Sequence, residues 1–355
     1  FGSIPIQRVN EADAVQTVVH ALRRGLDFID TSRAYTTSER RIGLALKEAG
    51  IGAGPRDAGA GAARTAPAEA AGAGRHVVVA SKSHAKTADK MRADLETSLG
   101  ELQRDYIDIY KCHCVSSHAD YETATSRGGA LEALQKAREE GLIGHIGITS
   151  HNLDVLDRAL DGGLFDVIMV CFSFLEPKAG KTVIPKARDK NIGVLAMKPF
   201  SGGAIEDARL ALKYTLAEPG VLVVAGVEHP DLFDENWRVF QEGGALTEAE
   251  QQQIAEIRQT YAKVFCRRCD YCQPCTEDIP IQTILGVRYL AKRMGLATLK
   301  DGFLWAGLNK ARNCTECGEC MTRCPYTPAR LQWNAGTRKS QKCDLCVDTP
   351  YLDEK

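Results

Sequence analysis

From Ile4 to about Gln241 the chain alternates two textures, and this alternation limits the possible folds more than any other feature. Short apolar, β-rich runs lie at 26–30, 76–81, 106–113, 143–149, 165–171, 192–197 and 221–225. Between and after them are helix-period segments at 10–24, 38–48, 88–102, 129–140, 153–160, 180–189, 207–216 and 231–241. Counting the extended opening Phe-Gly-Ser-Ile-Pro-Ile as a first, shortened strand gives eight strand–helix units. Continuous apolar strands separated by helices mark parallel βαβ units. Eight of them predict an α/β fold of the closed (β/α)8 TIM-barrel type rather than an open sheet. No complete G-x-G-x-x-G follows a strand, so the open doubly wound alternative lacks its fingerprint.

The 355 residues suffice for one barrel of about 250 residues and a small second domain. The predicted division is 1–245 for the barrel and 246–355 for a linking helix (247–264) and a cysteine-rich, mainly helical domain. Residues 51–75 are Gly/Ala/Pro low complexity without a phosphate-loop lysine, which reads as a disordered insertion without chemistry. With 45 basic against 46 acidic side chains, electrostatics give no case for nucleic acid or an anionic membrane as partner. The longest apolar stretch, around 167–175, is too short to span a bilayer, so a soluble protein is expected. The non-methionine start at Phe1 and the end at Lys355, nine residues past a Cys-x-x-Cys pair, suggest that both termini are cut.

In such barrels the chemistry sits where strands end on the C-terminal face. Read in order, those ends offer Asp30, then Tyr35 one short loop later, Lys82 and His113. The set suits carbonyl reduction. Hydride attack builds charge on the carbonyl oxygen, and a Tyr hydroxyl, with an ordinary pKa near 10, donates its proton only with a cation beside it. Lys82 would be that cation, Asp30 would hold it charged, and His113 would hydrogen-bond the substrate oxygen.

The stretch from Gly25 to Glu39 (GLDFIDTSRAYTTSE) resembles the signature of the aldo/keto reductases. So do the Ser81-Lys82 strand end, 105–113 (DYIDIYKCH) and 144–150 (GHIGITS). The resemblance runs from Phe1 to about Asn236 and is closest to the branch with a C-terminal iron–sulfur region. It implies a TIM barrel, NADPH or NADH as cofactor, a small carbonyl or alcohol substrate, and Asp30, Tyr35, Lys82 and His113 as the tetrad. It further implies that Ser150 and Asn152 approach the nicotinamide carboxamide. Lys198, Gly202 and Gly203 would lie along the pyrophosphate, with Gly226, Glu235 and Asn236 near the adenosine. Met169 stands near a position where many members carry Gln, and Glu228 would repel the 2′-phosphate of NADPH.

Ten of the 13 cysteines fall between Cys266 and Cys346, which suits a metal centre in a reducing compartment, with cytoplasm as the working location. Cys314, Cys317, Cys320 and Cys324, followed by Pro325, have the bacterial ferredoxin spacing for a 4Fe-4S cubane. Cys266, Cys269, Cys272 and Cys275 form a second run, so two 4Fe-4S clusters are expected. Either Cys324 and Cys275 exchange clusters, or each run supplies its own; structural zinc is the competing reading. Cys343 and Cys346 resemble the opening of another ferredoxin motif and stay unassigned. Cys112, Cys114 and Cys171, in the barrel, read as buried small hydrophobes.

The leading function is therefore a nicotinamide-dependent carbonyl reductase or alcohol dehydrogenase with an electron-transfer tail. A possible redox partner protein belongs to the same picture, because nicotinamide gives two electrons as hydride and each cluster takes one. The alternatives are an electron-transfer subunit whose barrel is a docking scaffold, and a non-catalytic barrel with structural metal. The long loop 115–126 is polar and carries no readable substrate code.

Overall fold

A computed structural model describes residues 1–52, 76–261, 266, 275–294, 302–315, 333–334 and 339–340. Seven strands, β1 (Phe28–Asp30), β2 (Val78–Ser83), β3 (Ile107–Cys112), β4 (Ile143–Ser150), β5 (Val167–Cys171), β6 (Gly193–Met197) and β7 (Val221–Val224), pair in sequence order. Every pairing in this sheet is parallel. The expected eighth strand is reduced to a stub. Gly2 alone bridges both Asp30 and Gly226, so one residue joins the two edges of the sheet into a nearly closed barrel. The stub stops there because Ile4–Arg8 turns into a 3-10 helix with Pro5 near its start, and proline has no N–H for a ladder. A side chain at Gly2 would crowd the Ala225 carbonyl at 3.0 Å, which is why the junction takes glycine.

Helices fall where the apolar periodicity puts them. They are α1 (Glu11–Arg23), α2 (Ser38–Glu48), α3 (Ala88–Leu102), α4 (His118–Thr125), α5 (Ala130–Glu139), α6 (Leu153–Gly162), α7 (Val183–Asp189), α8 (Ala208–Leu216) and α9 (Pro230–Glu242). The polar stretch 115–126, expected to be a loop, contains α4. Ser117 caps it by accepting from the Asp120 N–H at 3.1 Å, and Tyr121 and Ala124 are buried. A helix of eight residues with only these two buried side chains carries too little apolar periodicity to mark. The segment expected at 180–189 is divided between a 3-10 turn, Pro177–Lys181, and α7.

Two sets of apolar side chains result. One lies between strands and helices; the other comprises Phe28, Ala80, Ile109, Val167, Met169, Leu195 and Val224, contributed by β1, β2, β3, β5, β6 and β7. This second set alternates along β1, β2 and β3 with charged residues, and those charges make the site.

The chain divides into two compact units: Phe1–Phe172, Pro177–Pro199 and Ala211–Ala245 in one, and Ser173–Glu176, Phe200–Leu210 and Leu246–Lys355 in the other. In the second, α10 (Glu248–Tyr261) ends with the Tyr261 hydroxyl donating to the Ala204 carbonyl at 2.7 Å. Next come α11 (Ile281–Met294) and α12 (Gly302–Ala311), with Cys266 and Cys275 packed against buried Ile279, Ile281, Ile284 and Leu285. Residues 53–75, most of the low-complexity insertion, lie outside the described residues. So do Cys269, Cys272, Cys317, Cys320, Cys324, Cys343 and Cys346. Among the described residues no helix is long and apolar enough to cross a membrane.

Candidate active site

Asp30 is the last residue of β1 and pairs in register with Ala80 of β2. Lys82, two residues further along β2, therefore shares its face of the sheet, and its long side chain reaches back to the carboxylate. Lys82 Nζ donates to Asp30 Oδ1 and, at 2.8 Å, to the Thr31 carbonyl. Both side chains are essentially inaccessible to solvent.

The segment after β1 is tied down so that Tyr35 faces this pair. The Thr31 N–H donates to Ala80 O at 2.8 Å, and the Arg33 N–H to Lys82 O at 3.0 Å. Arg33 is paired with buried Glu39, which also accepts from the Ser81 hydroxyl at 2.6 Å. The Lys82 ammonium lies 4.8 Å from the Tyr35 ring centroid. The Tyr35 ring meets the His113 ring edge-on, centroids 6.1 Å apart. His113 directly follows β3, with its N–H donating to Ser83 O at 2.9 Å. The four residues predicted for the tetrad are thus brought together.

Three further side chains belong to this group and escape the sequence reading. Lys111 of β3 is the register partner of Lys82, and its ammonium lies 2.6 Å from Asp30 Oδ2. Its signal is a lysine inside an apolar parallel-type strand, two residues before His113. The Ser32 hydroxyl donates to Lys82 O at 3.0 Å and is 3.1 Å from His113 Nδ1. His84 stacks on His113, centroids 4.0 Å apart. Neither Ser32 nor His84 has a periodic or spacing signature.

The charges follow from burial. Desolvation works against an ionised Asp30, yet the Lys111 and Lys82 ammonium groups outweigh it and hold the carboxyl below its ordinary value. Burial lowers Lys82, with Asp30 and Glu39 offsetting part of the shift. It lowers Lys111 to about 8, against the pull of Asp30 and with added repulsion from Lys82. His113 is kept well below the ordinary histidine range by burial, then by Lys82, His84, Lys111 and His151. His113 is therefore a neutral imidazole at neutral pH, a hydrogen-bond donor through one nitrogen only.

The residues expected to hold a cofactor are more dispersed in their roles. The Ser150 hydroxyl is buried, donating to Val115 O at 2.6 Å and accepting from the Asn152 N–H at 3.0 Å. Asn152 caps α6 through the Asp154 N–H. Lys198 Nζ lies 2.6 Å from His151 Nε2. Gly202 and Gly203 have φ of +73° and +97°, with open space where a Cβ would project. Gly226 carries the barrel closure instead, since a Cβ there would meet Pro5 Cγ at 2.9 Å. Glu235 and Asn236 follow one another on α9, Glu235 exposed. Glu228 forms an ion pair with Arg8 at 3.0 Å.

Among the barrel cysteines, Cys112 and Cys171 are buried as expected, and burial pushes the Cys112 thiol up to about 12. Cys114 departs from the expectation. It is half-exposed at φ +54°, with its Sγ 3.5 Å from the Ser116 hydroxyl, because the chain turns sharply after His113. Among the described residues no group of three or more metal-ligating side chains comes together; Cys314, beyond α12, is exposed.

A parallel α/β barrel with a buried carboxylate–lysine pair at its strand ends, faced by a tyrosine and a histidine, sets the class of protein. Residues 1–210 match the aldo/keto reductase family. The chain belongs to that family. It is 30% identical over 217 residues to an L-galactose dehydrogenase of Arabidopsis thaliana, covering 58% of this chain and 62% of that one. It is 33% identical over 121 residues to a D-threo-aldose 1-dehydrogenase of Pseudomonas sp, covering 34% and 36%. The chain thus spans less than two thirds of the length of these curated relatives. Its fold is that of an aldo-keto reductase from Bacillus halodurans in its holo form, with TM-score 0.56 and 22% identity over 72% of this chain and 90% of that one. A Klebsiella pneumoniae aldo-keto reductase in complex with NADPH gives TM-score 0.55 at 20% identity, covering 73% and 89%.

Proposed function

We propose that the barrel is a nicotinamide-dependent oxidoreductase that reduces a small carbonyl compound or, in reverse, oxidises an alcohol. The observation that carries this is the Lys82 ammonium, held on Asp30 and lying 4.8 Å from the Tyr35 ring centroid. The nicotinamide, when bound, supplies or accepts the hydride. Tyr35 passes its phenolic proton to the carbonyl oxygen, and Lys82 stabilises the negative charge left on the phenol. His113, neutral and oriented by Ser32, hydrogen-bonds the substrate oxygen and fixes which face of the carbonyl is presented. Ser150, Asn152, Lys198, Gly202, Gly203, Gly226, Glu235 and Asn236 are the residues proposed to hold the dinucleotide. The open space beside Gly202 and Gly203 fits the close approach of a phosphate to backbone. Glu228, held by Arg8, favours NADH. The aldose names carried by two relatives make a sugar lactol oxidised at its anomeric carbon one substrate class to try.

The test is turnover of the full chain with 4-nitrobenzaldehyde and NADH or NADPH, and with aldoses and NAD. Tyr35→Phe should lower the rate by about 10²–10⁴-fold. Equal turnover by the Phe variant would remove Tyr35 as proton donor.

We further propose that the C-terminal region holds two 4Fe-4S clusters, on Cys266, Cys269, Cys272, Cys275, Cys314, Cys317, Cys320 and Cys324. Cluster thiolates sit in apolar surroundings, and the packing of Cys266 and Cys275 on one apolar group supports the reading. The clusters would store and pass single electrons to a redox partner. Anaerobic purification with iron, sulfide and zinc analysis tests this: about eight irons with equal sulfide is the expected result, and zinc without sulfide overturns it.

A further inference from the structure

Two lysines converge on one carboxylate in the barrel, and the stoichiometry is unbalanced. Asp30 gives one oxygen to Lys82 and the other to Lys111 at 2.6 Å, and all three side chains are at most 2% exposed. For stability alone one lysine would suffice, because an odd buried charge carries a desolvation cost with no counter-ion to offset it. Lys111 is nevertheless accommodated by the surrounding chain. Its register partner on β4 is Gly147, where a Cβ would stand 2.7 Å from Lys111 Cγ. The space that holds the lysine stem is space a side chain would otherwise fill.

We propose that Lys111 is a positioning residue for the reduction: by drawing one oxygen of Asp30 to itself, it leaves Lys82 with the positive charge that supports proton loss from Tyr35. The proposal rests on the tetrad reading above. With Lys82 alone, the buried pair would be neutral and Tyr35 would face a dipole. With Lys111 present, the triad carries one net positive charge, and that charge acts through a low-dielectric interior. Lys111 does not touch the reacting atoms; it acts through Asp30 and Lys82.

Among the described residues few charges face Lys111. β1 offers Asp30, β2 offers Lys82, the end of β3 carries His113, and β4 meets it with Gly147. Glu39 of α2 acts on Lys82 and not on Lys111. Burial brings the Lys111 ammonium to about 8, so its charge is lost within the range of an ordinary assay.

The experiment is the pH profile of kcat/KM for 4-nitrobenzaldehyde reduction by the full chain, with melting temperature recorded alongside. Wild type should lose rate as pH passes about 8. Lys111→Met should lower kcat at pH 7 by about tenfold with KM little changed, and should lack the limb near 8. Lys111→Arg keeps a permanent charge, so it should retain the rate at pH 7 and also lose that limb. A Met variant with wild-type kcat and an unaltered profile overturns the proposal. So does a wild-type profile flat from pH 7 to 9, which needs no variant to fold. Tyr35→Phe, run in parallel, separates the two claims. Full turnover in that variant sinks the tetrad reading and this proposal with it. Loss there, with Lys111→Met unaffected, sinks this proposal alone.

Discussion

Lys82 and Lys111 are register partners on neighbouring parallel strands, and both ammonium groups end on the carboxylate of Asp30. The carboxylate is the sole counter-ion that either lysine touches among the described residues. Asp30→Asn therefore leaves two buried ammonium groups facing a neutral amide. Removing one partner of a buried ion pair costs about 3–5 kcal/mol. Urea unfolding at pH 7 should show a loss of that order. An unchanged midpoint would mean that the lysines are already neutral in the folded chain.

The same group sets a pH dependence of stability. Lys111 is depressed from 10.5 to about 8 on folding, so between those values the unfolded chain binds more protons than the folded one. Stability must then rise as pH climbs through that window, by an amount on the order of 3 kcal/mol. Below about 8 the lysine is charged in both states and the full penalty is present. Lys82 is lowered too and adds to the slope, so Lys111→Met should flatten the rise without abolishing it. Equilibrium unfolding at pH 7 and pH 10, compared between the two proteins, reads this directly.

Much of this site is legible in the sequence because strand ends are legible. Asp30, Lys82 and His113 stand at the edges of apolar runs, and the parallel barrel rule says which edge matters. The seven strands and the helices Ser38–Glu48 and Ala88–Leu102 follow from periodicity in the same way. Lys111 was hidden because it sits inside a run, where an alternating pattern of inward and outward residues is masked by burial on both faces. Ser32 and His84 act through side-chain contacts that no spacing encodes. The eighth strand is overstated by the same logic: Phe1–Ile6 looks extended, but only Gly2 bridges before Pro5 and the 3-10 turn intervene.

Ser32 orients His113. Its hydroxyl donates to the Lys82 carbonyl at 3.0 Å and lies 3.1 Å from His113 Nδ1, where it accepts. With Nδ1 engaged by Ser32, Nε2 is the ring nitrogen left to meet the substrate. Ser32→Ala removes that contact. Losing one such hydrogen bond is worth about 1 kcal/mol, so kcat should fall roughly fivefold with the melting temperature nearly unchanged. A variant that melts early and also binds substrate poorly would instead make Ser32 a packing residue.

Glu228 and Arg8 form an ion pair at 3.0 Å, each about a quarter exposed. On the proposed reading Glu228 lies near the adenosine, where a carboxylate disfavours a 2′-phosphate and accepts a 2′-hydroxyl. Glu228→Gln removes the negative charge and releases the Arg8 guanidinium from that partner, whose fork suits a phosphate. Preference should then move from NADH towards NADPH. Removing a single charge at a partly exposed site is worth about 1 kcal/mol, hence a roughly fivefold change in the ratio of kcat/KM values. The check is that ratio measured with 4-nitrobenzaldehyde for both proteins at low and high salt. The change should shrink as salt screens it. An unchanged ratio at low salt places the adenosine end of the cofactor away from Glu228.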